Sequence, residues 1–119
     1  MTTDCIFCKI ISREIPALRV YEDEHVLAFR DISPQAPVHI LVVPKAHIVS
    51  VADVTAKNSK IIAKCFEAIA KIAEEEQLGS GFRVITNSGI DGGQTVFHMH
   101  FHLLGGTALR AELLHTRGE

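Results

Sequence analysis

A chain of 119 residues, 47% hydrophobic and 22% charged, has the size and makeup of one globular domain spanning 1–119, with no room for two. Its formal net charge is −2, with Lys and Arg scattered along the sequence. There is no basic footprint for a nucleic acid, and small-molecule partners are favoured. No apolar run approaches the roughly 20 residues needed to span a bilayer, and the start, MTTDCIFCKI, has no signal-peptide pattern. Three cysteines, an odd count, argue against a disulfide framework, so a cytoplasmic protein is expected.

The first predicted element is a short helix over Phe7 to Arg13, closed by Pro16, because the residue before a proline is biased away from helical geometry. Three apolar and β-branched runs follow: Arg19 to Glu22, His25 to Asp31 and Val38 to Val43. Turn-forming stretches separate them, which predicts antiparallel strands in a meander. The third ends at Pro44, which has no N–H for a ladder. From about Ala56 to Gln77, Ile61, Ile62, Cys65, Ile69, Ile72 and Ala73 recur at helical spacing, with Lys60, Lys64, Glu67, Lys71 and Glu75 facing away. This is the one long helix, with Gly79 and Gly81 placed to end it and Cys65 read as packing. Two more strands, Phe82 to Asn87 and Thr95 to Leu104, are joined by the turn-rich Ser88 to Gly93. The expected class is α+β: a mostly antiparallel five-stranded sheet, one long helix over one face, and a short N-terminal helix.

The last predicted strand carries the informative pattern, because His98, His100 and His102 alternate with Met99, Phe101 and Leu103. In a strand, alternate side chains share a face, so the three imidazoles line one side about 6.6 Å apart and the apolar residues line the other. A structural strand has no reason to supply partners for three imidazoles on one face. Two chemistries remain open on this pattern alone. Alternating histidines can hold a metal, or the middle one can act as a nucleophile held by its neighbours.

Together with Asp31 to His39 (Asp-Ile-Ser-Pro-Gln-Ala-Pro-Val-His), Asn87 and Gly92-Gly93-Gln94-Thr95, the stretch His98-Met99-His100-Phe101-His102-Leu103-Leu104 resembles the histidine triad (HIT) family, whose signature is His-φ-His-φ-His-φ-φ with φ apolar. The similarity runs over nearly the whole chain and is nearest the Hint branch, the histidine triad nucleotide-binding proteins. That resemblance implies a HIT-like fold and an enzyme that cleaves purine nucleoside 5′-phosphoramidates, or related nucleotide esters and anhydrides. In it, His100 attacks the α-phosphorus to form a nucleotidyl-histidine that water hydrolyses. A neutral imidazole suits this step, being nucleophilic without deprotonation. The resemblance makes His102 the phosphate-contacting histidine and His39 its support, and counts His98 with the catalytic row.

The substrate-binding residues it implies are Asp31 for the two ribose hydroxyls, Phe7, Phe29 and Ile32 around a purine, and Asn87, Gly93, Gln94 and Thr95 at the phosphate. The glycines there are expected to leave backbone amides uncovered. Thr95 stands where close relatives commonly carry Ser. Without the resemblance, Asp31 would read as a turn aspartate and the aromatic residues as core. The alternative is a nucleotide-binding regulatory or interaction protein whose hydrolysis is incidental.

Cys5 and Cys8 have the spacing of half a zinc site, although a CxxC pair also serves redox chemistry. His47 and His98 are candidates for the other two ligands. Some bacterial HIT proteins and related uridylyltransferases carry such a Cys-Cys-His-His set, so a structural Zn²⁺ is expected, with none required for the chemistry. The resemblance also implies a homodimer. Leu109, Leu113 and Leu114 in the tail would be covered at its interface.

Overall fold

Strands β2 (Val26–Arg30) and β3 (Val38–Pro44) are apolar at consecutive positions, not only alternate ones, so both faces of their sheet have to be covered. The computed structural model, which describes residues 4–111, covers them with two helices of very different size. Helix α1 (Ile6–Ile11) lies over one face and α2 (Ser59–Glu75) over the other. Between them run five antiparallel strands, completed by β1 (Arg19–Glu22), β4 (Phe82–Ile85) and β5 (Phe101–Gly105), in the spatial order β1-β2-β3-β5-β4. This is the α+β architecture expected from the sequence.

Cys65, Ala68, Ile69, Ile72 and Ala73 of α2 pack on Val26, Ala28, Ile40, Val42, Met99, Phe101 and Leu103. These are the strand residues of one parity, and they form the larger core. Those of the other parity, Leu27, Phe29, Leu41 and Val43, meet Phe7 and Ile10 of α1 and the half-buried Val96. The smaller helix leaves part of its face uncovered, and the histidines lie on that side. Among the described residues no helix is long and apolar enough to cross a membrane.

Several predicted boundaries shift. Helix α1 stops at Ile11, well before Pro16, because Arg13 turns the chain with a left-handed φ of 70° while Glu14 and Ile15 donate back to the Lys9 carbonyl. Helix α2 is shorter than 56–77. Its end is made by Gln77, at φ 60°, and not by Gly79 or Gly81, as Leu78 N–H bonds to the Ala73 carbonyl. Strand β4 ends at Ile85.

The largest correction concerns the final strand, which begins at Phe101 and not at Thr95. The ladder between β3 and β5 runs only from Val38↔Gly105 to Val42↔Phe101, and Pro44 can donate nothing beyond it. Residues 98–100 find other partners: Met99 N–H reaches the Ile48 carbonyl at 2.6 Å and the His100 carbonyl accepts from the Thr86 hydroxyl at 2.8 Å. The alternation of faces survives this irregularity, since Met99 joins Phe101 and Leu103 in the larger core. Of the tail leucines, Leu109 is half-buried, and Leu113 and Leu114 lie outside the described residues.

Candidate active site

His102 stands on β5 opposite Leu41 of β3, which places it diagonally across from His39. His39 Nε2 lies 2.9 Å from His102 Nδ1 and 3.5 Å from Asp31 Oδ2, and the Gln35 N–H donates to His39 Nδ1 at 3.0 Å. Burial lowers the basicity of both rings. It takes His39 below the ordinary histidine value against the opposing pull of Asp31. His102 is pushed down to about 4, with His100 and His39 adding to the effect of burial. Both are therefore neutral at pH 7.

The His100 ring packs beside His102, centroids 5.1 Å apart, and edge-on to Phe7, also at 5.1 Å. Its Nδ1 is 2.8 Å from the His98 carbonyl oxygen. A carbonyl only accepts, so Nδ1 carries the proton and the lone pair of the neutral ring sits on Nε2. Among the described residues nothing hydrogen-bonds Nε2, and no buried side-chain nitrogen or oxygen there is left without a partner, so Nε2 reaches solvent. An imidazole with a fixed tautomer, a solvent-facing lone pair and a neutral histidine alongside is equipped for nucleophilic attack.

His98 faces away from this pair, into a second group. Its Nε2 is 2.8 Å from the Pro44 carbonyl, which makes Nε2 the protonated nitrogen and leaves the Nδ1 lone pair aimed at Cys5 Sγ (3.4 Å) and Cys8 Sγ (3.6 Å). His47 Nδ1 is 3.3 Å from Cys8 Sγ. The four ligand atoms all lie within 4.8 Å of one another. Two thiols one helical turn apart, plus two imidazoles, one of them donating its outer N–H to a carbonyl, match the donor set and outer-shell pattern of a tetrahedral structural zinc site. Burial pushes the His98 ring down to about 4, so it is neutral at pH 7, the form in which an imidazole can bind a metal. Gln94 Nε2 donating to the Val49 carbonyl, and Met99 N–H to Ile48, bring His47 to this position.

The remaining candidates divide. Asp31 does what a turn aspartate does, its Oδ1 accepting from Ser33 N–H at 2.7 Å, while Oδ2 points toward His39. Phe7 and Phe29 are buried and meet edge to face at 5.7 Å, so they form the floor beneath the histidines, and Ile32 is 99% exposed. In the 87–95 loop, the amides expected to be uncovered are already committed: Gly92 N–H and Gln94 N–H to the Gly89 carbonyl, and Gly93 N–H to Ile90. That expectation is corrected, because the loop closes on itself. Asn87 donates to the Gly92 carbonyl at 2.7 Å, and the buried Gln94 amide accepts from Gly89 N–H and donates to Val49 and Val96 carbonyls. Gln94 is thus a brace for the loop, and Thr95 is exposed at its exit. The groups the sequence did not flag are the Gln35 amide, set by a turn that brings it onto His39 four residues on, and the Thr86 hydroxyl and Pro44 carbonyl, defined by contacts distant in the chain.

Comparison with known proteins places this geometry. The HIT domain model matches residues 12–109. The purine nucleoside phosphoramidase of Escherichia coli (strain K12) is 49% identical over 116 residues, covering 97% of this chain and 98% of that protein. Among solved structures, a HIT family hydrolase from Clostridium thermocellum superposes with a TM-score of 0.93 at 46% identity, covering 96% of this chain and 100% of that one. A histidine triad nucleotide-binding protein from Candida albicans does so with a TM-score of 0.78 at 30% identity, over 94% and 87% of the two chains. With the domain match spanning most of the chain and the triad built as described, the chain belongs to the HIT domain family.

Proposed function

We propose that this protein is a Hint-like purine nucleoside phosphoramidase that works through a covalent nucleotidyl-histidine. The observation that carries the reading is the fixed tautomer of His100, whose Nε2 lone pair reaches solvent while Nδ1–H is held by the His98 carbonyl. In the first step Nε2 bonds to the α-phosphorus as the P–N bond breaks, and the amine departs with a proton from solvent. The ring is then cationic, and the carbonyl dipole at Nδ1 stabilises it. Water next attacks the phosphorus, releasing the 5′-nucleotide and a proton and returning His100 to its neutral form. His102 assists by hydrogen bonding to the phosphoryl oxygens.

In this reading Asp31 receives the ribose hydroxyls, with Phe7, Phe29 and Ile32 at the base and Asn87, Gly93, Gln94 and Thr95 around the phosphate. The placement of Asp31 beside His39 and His102 supports the first of these. The Cys5, Cys8, His47 and His98 group holds a structural Zn²⁺ that ties the N-terminal helix to the histidine segment. The proposal treats residues 1–119 as one domain, paired in a homodimer and resident in the cytoplasm, where an odd set of three thiols stays reduced.

The test is intact mass spectrometry after brief mixing with an adenosine phosphoramidate. A nucleotidyl adduct on the natural chain, missing from His100→Ala, is expected. Product formed in a burst with no adduct at any time would refute the covalent route.

A further inference from the structure

We propose that the backbone amide of Gln35 is a positioning group for the reaction, setting through two imidazoles in series which nitrogen of His102 presents a proton. This rests on the phosphoramidase reading and deepens it.

A main-chain N–H can only donate, so the Gln35 amide obliges His39 Nδ1 to keep its lone pair. The single proton of neutral His39 then belongs on Nε2. From there it points at His102 Nδ1, 2.9 Å away, with Asp31 Oδ2 a longer 3.5 Å off. A ring that receives this hydrogen bond on Nδ1 must carry its own proton on Nε2. The order is therefore Gln35 N–H to His39, His39 Nε2–H to His102, and His102 Nε2–H outward.

Each link needs both rings neutral, and the burial described above supplies that condition. Among the described residues no carbonyl or carboxylate contacts His102 Nδ1, so nothing competes with His39 for setting its tautomer. The amide itself is aimed by a braced turn. Asp31 N–H donates to the His39 carbonyl, Asp31 Oδ1 accepts from Ser33 N–H, and the Gln35 side chain donates to the Ser33 carbonyl. The same amide disqualifies Asp31, His39 and His102 as a metal site, although their ligand atoms converge. A metal on His39 Nε2 would move the proton to Nδ1, facing a second donor.

The consequence for the chemistry is polarity. The His98 carbonyl makes His100 Nε2 a lone pair, and the Gln35 amide makes His102 Nε2 a donor. Two adjacent imidazoles thus present opposite roles to one phosphoryl group: attack on phosphorus by one, a hydrogen bond to its oxygens from the other.

Long-range ¹⁵N–¹H correlation spectra of the histidine-labelled full chain at pH 7 read the tautomers without substrate. The expected result is Nε2–H on His39 and His102 and Nδ1–H on His100. Finding His102 as the Nδ1–H tautomer would overturn the proposal. Gln35→Pro, which deletes the amide, should leave His39 and His102 with mixed tautomers and lower kcat by about 10- to 100-fold, a partial loss of the donor that His102 offers the phosphoryl oxygens, with KM within about twofold. Gln35→Ala, which restores the amide, should recover both spectrum and rate. Should the proline variant not fold, replacing Gln35 by its α-hydroxy acid removes the N–H with the side chain kept. Unchanged tautomers and rate in that ester would sink the idea. If the tautomers are as expected but His100 forms no adduct, the relay stands and the covalent reading falls.

Discussion

A single hydrogen bond decides which nitrogen of His100 keeps its lone pair, and this makes the contribution proposed for the residue separable from binding. His100→Ala should lower turnover by about 10³-fold or more, with the dissociation constant of a 5′-nucleotide changed only a few-fold. Equilibrium binding beside steady-state kinetics checks the split, and a parallel loss of affinity would assign His100 to binding. His102 gives a pH prediction of definite sign. Its folded pKa, about 4, lies below the ordinary 6.5, so the unfolded chain takes up a proton first as pH falls. Its share of stability is complete above about pH 6.5 and is lost progressively toward pH 4. Denaturation curves across that window should show the decline, and His102→Gln should make it shallower by one group's share, His98 and His39 keeping the remainder.

At the scale of elements, two turns offer tests. Gln77 ends α2 in a left-handed conformation that costs a non-glycine residue roughly 1 kcal/mol or more, so Gln77→Gly should stabilise the chain by about that much in urea denaturation. Gly92 is required for a different reason. A Cβ there would meet the Ser88 carbonyl oxygen at 2.3 Å, which is backbone and cannot swing aside. Gly92→Ala should destabilise by about 1–3 kcal/mol and raise KM as the loop re-forms; an unchanged KM would separate that loop from substrate. These turns also mark where the sequence stopped being legible. The apolar runs of β2 and β3, the alternation along 98–103 and the 3.6 period of α2 are local signals, and the predicted faces of Ile69, Ile72, Met99 and Phe101 match the core found. The end of α2 is set by the left-handed Gln77, a conformation its residue type does not announce, and the start of β5 six residues later than read depends on partners far along the chain, Pro44 and Ile48. The Gly92 and Gly93 amides are occupied by the Gly89 and Ile90 carbonyls three residues back, a closure that the turn-forming composition of the loop does not specify.

At the scale of the whole molecule, Cys5 and Cys8 reach across the smaller core to His47 and His98, segments about 40 and 90 residues away along the chain. A metal held there closes long loops, so removing it with a strong chelator should lower Tm by several degrees while turnover persists below the new transition. Scanning calorimetry paired with an assay at moderate temperature checks this. Loss of turnover at an unchanged Tm would make the metal a participant in the reaction. The cysteine spacing was readable in advance, but the convergence of all four ligands depends on the Met99 and Gln94 contacts that dock the 47–50 segment.

Residue 98 holds His100 through its main chain and meets the cysteine cluster through its ring. Every amino acid brings a carbonyl, whereas only a few bring a ligand. Replacing the cysteines and the residue 98 side chain therefore leaves the carbonyl that anchors His100 Nδ1 in place. The cluster and the His100 tautomer are thus held by separable parts of one residue.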